Sequence, residues 1–195
     1  MWFRFLAVLS ALLAAGSAGA HEANSLAFGS FLAGLTHPVL GPDHFLAMVS
    51  VGILSAQIGG RAIWTVPTTF VAVMAVGGVL GMVDVGLDAI ELGIAMSVFV
   101  LGAAIAADRR LPMVLAMVAV GLFAVVHGYA HGAEMPRVAE PMRYAAGFLL
   151  GTAALHVLGL LIGDITQHYE RGKVGLRVVG GIIAACGLWF VTASI

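Results

Sequence analysis

His37-Pro38-Val39-Leu40-Gly41-Pro42-Asp43-His44 interrupts an apolar run and sets the reading of the whole chain. Upstream, residues 25–36 are apolar but too few to cross a bilayer, which takes about 20. Pro38, Gly41 and Pro42 then oppose a continuous helix, because proline lacks an N–H and its ring clashes with the carbonyl four residues back. Downstream, an apolar segment starts near Pro42 and reaches Ile58. The expectation is a short half-helix, a break, and then a first span. Irregular backbone at membrane depth is tolerated only where protein buries it or it lines a wet cavity, so the break also marks a site.

The surrounding composition makes this a membrane protein. Of 195 residues, 61% are hydrophobic and 10% charged, with mean hydropathy +1.06; a soluble domain carries about 25% charged residues. The apolar runs are too continuous for the alternation of a β-barrel. Five more spans follow, at 62–82, 88–107, 111–130, 142–163 and 174–194. Short connections between them predict one all-α domain over residues 21–195, a compact bundle of six transmembrane helices. The net charge of −1, without a basic tract, leaves the lipid bilayer as partner and gives no sign of nucleic acid. The single Cys186 reads as a small buried hydrophobe.

Residues 1–20 have the form of a cleavable signal peptide. Arg4 precedes an apolar core from Phe5 to Ala15, and Ala18-Gly19-Ala20 makes an A-x-A cleavage site. An uncleaved first span is the competing reading, disfavoured by the short core. Cleavage leaves His21 as the mature N-terminus, with an amine and an imidazole to offer a metal. With that terminus outside, Arg61, Arg109, Arg110, Arg171, Lys173 and Arg177 are cytoplasmic, and Arg137 and Arg143 are exterior, six against two. This follows the positive-inside rule and puts both termini on the periplasmic side of a bacterial inner membrane. Six spans also divide into a 3+3 arrangement, whose odd halves would be an inverted repeat.

A second polar block, His127-Gly128-Tyr129-Ala130-His131-Gly132-Ala133-Glu134, closes the fourth span. On a helix, His127, His131 and Glu134 share one face. The topology carries this block and the His37–His44 break to the same exterior side. His37, Asp43, His44, His127, His131 and Glu134 together offer imidazoles and carboxylates, a donor set for Ni²⁺, Co²⁺ or Zn²⁺ rather than Ca²⁺ or Mg²⁺. Asp43 also follows Pro42 closely enough to cap the first span, a role compatible with the site. An ionisable group inside a span costs about 2.5–3.5 kcal/mol on insertion scales, so it needs a partner. Met48 lies one turn beyond His44. His156, mid-way along the fifth span, is either a deeper ligand of the path or a satisfied structural histidine. Asp84, Asp88 and Glu91 read as solvated acids able to draw cations to the mouth, and His168 as loop. Gly147, Gly151, Gly159 and Gly163, with Gly77 and Gly81, form close-packing stripes that serve contacts within the chain or between copies in a homo-oligomer.

The two blocks together resemble the HupE/UreJ family of membrane proteins associated with hydrogenase and urease maturation. The likeness spans signal peptide, six spans and both motifs. The first block also looks like the His-x4-Asp-His signature of the broader nickel/cobalt transporters, with one extra residue between His37 and Asp43. The resemblance implies an inner-membrane permease for Ni²⁺, with Co²⁺ carried by some members, using the six residues of the two blocks. No organic cofactor and no enzymatic step are implied.

Two other functions fit parts of the pattern. An intramembrane zinc hydrolase could use three histidines and a carboxylate around a water, although no His-Glu-x-x-His is present. A metal sensor or haem protein would need histidines opposed at matched depth. Without a P-loop, the chain itself does not use ATP. All the metal-binding readings require unprotonated imidazole. Binding of Ni²⁺ by the purified protein is therefore expected to weaken as pH falls through about 6.5, the free-imidazole value, as titration calorimetry across that range would show.

Overall fold

Gly41 is where the chain turns. The computed structural model describes residues 29–109, 111–136 and 139–195. The proposed signal peptide and His21 lie outside the described residues, as do Arg110, Arg137 and Val138. Helix α1 runs Ser30–Leu40 and α2 runs Pro42–Ile58, and the two meet at a bend of 82°. Pro42 has no N–H for the carbonyl of Pro38, so α1 cannot propagate. The residue before a proline is also pushed out of the helical region, and Gly41 is extended at φ −84°, ψ 114°. Pro38 was expected to end the half-helix, yet α1 continues through it to Leu40.

Five further helices follow: α3 (Ala62–Met82), α4 (Ile90–Ala107), α5 (Met113–Ala133), α6 (Pro141–Gln167) and α7 (Glu170–Ala193). Each is long and apolar enough to cross a membrane, and the bent α1–α2 pair makes a sixth crossing if taken as one span. No strand occurs among the described residues. The chain is thus an all-helical, multi-pass membrane bundle. Several helices outrun their hydropathy-based bounds: α5 carries His131 inside its last turn, and α6 and α7 extend into the charged stretch around His168. Hydropathy stops where lipid stops, whereas a helix stops only at a cap or a breaker.

Four helix pairs dominate the packing: α3 with α5, α4 with α7, and α6 with each arm, α1 and α2, of the bent pair. Each is a close crossing with glycine on both sides. Gly77 and Gly81 of α3 meet the carbonyls of Val125 and Tyr129, while Gly128 and Gly132 of α5 meet those of Met74 and Gly78. Gly102 of α4 faces Gly180 of α7, and Gly52 of α2 faces the His156 carbonyl of α6. Exchanging the first three spans with the last three converts the α3–α5 pair into α6–α2 and returns α4–α7 to itself. The strongest helix pairs are thus exchanged as a 3+3 arrangement would have them, while the lesser contacts, such as α2 with α3 and α4, have no counterpart in the other half.

The glycine stripe of α6 is used within the chain. Gly147 and Gly151 lie against the Phe31 and Leu35 carbonyls of α1, and Gly159 against the Val49 carbonyl of α2. One helix thereby clamps both arms of the bend. A side chain at Gly159 would strike backbone, which cannot yield as a flexible side chain can. Gly159→Val is expected to lose roughly 1–3 kcal/mol of stability, the usual penalty for overpacking. Thermal unfolding in detergent checks this, with Gly175→Val as control because nothing lies within 4 Å of a Cβ there.

Candidate metal-binding site

The helix directions bring both polar blocks to one end of the bundle. His37 comes from the last turn of α1, Asp43 and His44 from the first turn of α2, and His127 and His131 from the last two turns of α5. Glu134 is the C-cap residue of α5, its N–H bonded to the Ala130 carbonyl at 2.8 Å. Among the described basic residues, only Arg143 lies near this end; Arg61, Arg109, Arg171, Lys173 and Arg177 lie at the other.

The imidazoles form a continuous series. Ring centroids are 4.9 Å apart for His37 and His131, 4.7 Å for His131 and His44, and 4.8 Å for His44 and His127. His37 and Glu134 are partly exposed at the mouth, while His127 and His131 are fully buried. As the side chains stand, no three His, Cys, Asp or Glu donors among the described residues converge in metal-ligand geometry. Rotation of the rings would be needed to close them on an ion.

Three of the rings have a hydrogen-bond partner that favours one tautomer. Nδ1 of His44 donates to Asp43 Oδ1 at 2.9 Å, and Nε2 of His37 donates to Glu134 Oε2 at 3.2 Å. Ser97 Oγ donates to the Ile94 carbonyl at 2.6 Å and accepts from His127 Nε2 at 2.9 Å. The nitrogen left on each neutral ring is then a lone pair, the form a metal requires. His44 Nε2, His127 Nδ1 and both nitrogens of His131 are buried with no partner among the described residues. The hydrogen bond from His37 holds the Glu134 carboxyl below the usual carboxylate range, against the opposing effect of burial. Glu134 thus keeps its negative charge at the mouth.

Asp43 departs from one expectation. Gly41 is the N-cap of α2 and no side chain caps it. The Asp43 carboxylate instead accepts the His44 N–H at 2.7 Å as well as the His44 ring. Met48 is fully buried one turn on. His156 is buried on α6, and neither ring nitrogen has a partner among the described residues. Asp84 is tied to α5 by the Tyr129 hydroxyl at 3.3 Å. Exposed Glu91, in the first turn of α4, shares the electrostatic field of Asp43, Glu134 and His44. His168 stays apart, bonded to the Asp164 carbonyl at the far end.

Sequence reading missed Ser97, Phe70 and Phe148. Phe148 stacks on His131 at 5.2 Å, and Phe70 packs against both His127 and His156. A serine or phenylalanine in an apolar run carries no signal until the neighbouring helix is known.

A family model described as HupE / UreJ protein matches residues 9–190. The chain belongs to the HupE/UreJ family. It is 44% identical over 156 residues to Protein HupE of Rhizobium leguminosarum bv. viciae, covering 80% of this chain and 81% of that protein. No solved structure matches it.

Ser97 generates a test of the imidazole arrangement. Ser97→Ala removes the acceptor that fixes His127, and loss of such an outer-shell bond typically weakens metal affinity about 10–100-fold. Calorimetric titration with Ni²⁺ measures this; affinity unchanged from wild type would show that His127 is not held for a metal.

Proposed function

We propose that this chain is an inner-membrane permease for a divalent transition metal, Ni²⁺ foremost, with Co²⁺ or Zn²⁺ as alternative cargo. The observation that carries the reading is the buried imidazole series at one end of the bundle, with tautomers favoured by Asp43, Ser97 and Glu134 and lone pairs left without a partner among the described residues. Membership of a family associated with nickel and cobalt transport for hydrogenase and urease supports the choice of cargo.

In this reading the site end faces the periplasm, in keeping with its paucity of basic residues. Glu134, Asp43 and Glu91 attract the hydrated cation, and His37, exposed at the mouth, meets it first. Nitrogen donors then replace water stepwise as the ion moves to His131, His44 and His127. The loose spacing of the rings suits passage, because conduction needs binding strong enough to admit an ion and weak enough to release it. The ion leaves toward the cytoplasm for metalloenzyme maturation. Residues 1–20 serve as the cleaved signal, and cleavage frees the amine and imidazole of His21 as donors to a metal.

Purified protein in liposomes loaded with a metal-sensitive dye tests the proposal. Saturable Ni²⁺ uptake is expected, reduced at least about tenfold by His44→Ala or His131→Ala; tenfold corresponds to about 1.4 kcal/mol. Tight Ni²⁺ binding without uptake would overturn the permease and favour a sensor.

A further inference from the structure

The imidazole series stops at a phenyl ring. His127 is the innermost member of the outer cluster, and Phe70 of α3 lies against it with ring centroids 5.7 Å apart. Phe70 also meets His156 of α6 edge-on at 5.1 Å. Phe70 is fully buried. One turn nearer the site end, Met74 is also fully buried and receives a hydrogen bond from Thr152 at 3.8 Å, so the layer above the ring is packed. Four rings at imidazole–imidazole spacings of 4.7–4.9 Å are thus followed by one ring that has no lone pair, and then by another imidazole.

His156 opens on different space. It lines a crevice of about 240 Å³ between α3 and α6, together with Ile63, Trp64, Pro67, Thr68 and Leu160. Ile63 and Trp64 belong to the first turn of α3, and exposed Trp64 and Val157 rim the crevice, so it is an apolar groove on the outer face of the bundle. Both nitrogens of His156 are buried without a partner among the described residues. Pro67, three residues before Phe70 on α3, has no N–H for the Ile63 carbonyl, which weakens the helix beside the ring.

We infer that Phe70 is the closed gate of the path, separating the outer imidazole cluster from His156 of α6. The inference rests on the permease reading and adds a barrier to it. A dehydrated cation held by His127 finds no donor at the phenyl ring and cannot advance in a low-dielectric interior. Hydrophobic constrictions gate channels in the same way, by excluding water. Bending of α3 at Pro67 swings the ring aside and lets His127 hand the ion to His156.

The test reads the barrier separately from transport. In a Cys186→Ser background, His156→Cys supplies a thiol for a small, impermeant, cationic thiol reagent added to either face of oriented membrane vesicles. With Phe70 present, labelling from the site end is expected to be slow. Phe70→Ala is expected to raise that rate at least tenfold, and Phe70→Leu, which keeps apolar bulk and guards against misfolding, by a smaller but measurable factor. With His156 intact, Phe70→Ala in liposomes is expected to turn saturable Ni²⁺ uptake into a faster leak that also passes Mn²⁺. Site-end labelling equally fast with and without the phenyl ring would overturn the gate, whatever the flux. Absence of metal flux in the wild type would overturn the permease reading, while the labelling ratio would still report whether Phe70 seals the outer cluster from position 156.

Discussion

The bend at Gly41 depends on α6 pressing against both of its arms. A chain that turns by 82° inside a membrane bundle exposes backbone that lipid cannot solvate. Here glycines of α6 seat directly on the backbone of α1 and of α2 on either side of the turn, so both arms are held by protein while Val39, Leu40 and Pro42 at the turn itself stay exposed. Everything at the site follows from that seating. It sets His37 and His44 on opposite sides of the turn and carries both up to the last turns of α5, where His127 and His131 are waiting.

Burial of the imidazoles is the second constraint. A buried polar group without a partner is expensive, and the described residues leave several: His44 Nε2, His127 Nδ1, and both nitrogens of His131 and His156. Each outer ring with a favoured tautomer owes it to an acceptor, a carboxylate at Asp43 and Glu134 and a hydroxyl at Ser97. These partners turn lone pairs inward, where a soft-to-borderline cation satisfies them better than an apolar neighbour does. Phe70, Phe148 and Tyr144 pack against His127, His131 and His37 respectively.

The sequence exposed the two polar blocks because charged and histidine residues stand out against a chain that is 61% hydrophobic. Helix direction alone was enough to place both blocks at one end. The partners of the imidazoles were not legible in the same way. Ser97 is 30 residues from His127 along the chain, and His37 is 97 from Glu134. The role of Asp43 as the partner of His44, rather than as a cap, depends on a rotamer and on Gly41 taking the capping position. Helix ends were also blurred, as at α6, since backbone hydrogen bonding continues past the apolar stretch.

By itself, then, the sequence determined the membrane class, the spans, the break at Gly41-Pro42 and the six candidate ligands, because hydropathy, proline chemistry and charge are local properties. Tertiary structure decided which imidazoles touch, which tautomers are favoured, and that the glycine stripe of α6 closes on this chain's own bend. It also decided that one phenylalanine, Phe70, touches both His127 and His156. Those facts depend on how helices distant in sequence cross, and a crossing is set by the close approach of two backbones, which neither helix specifies alone.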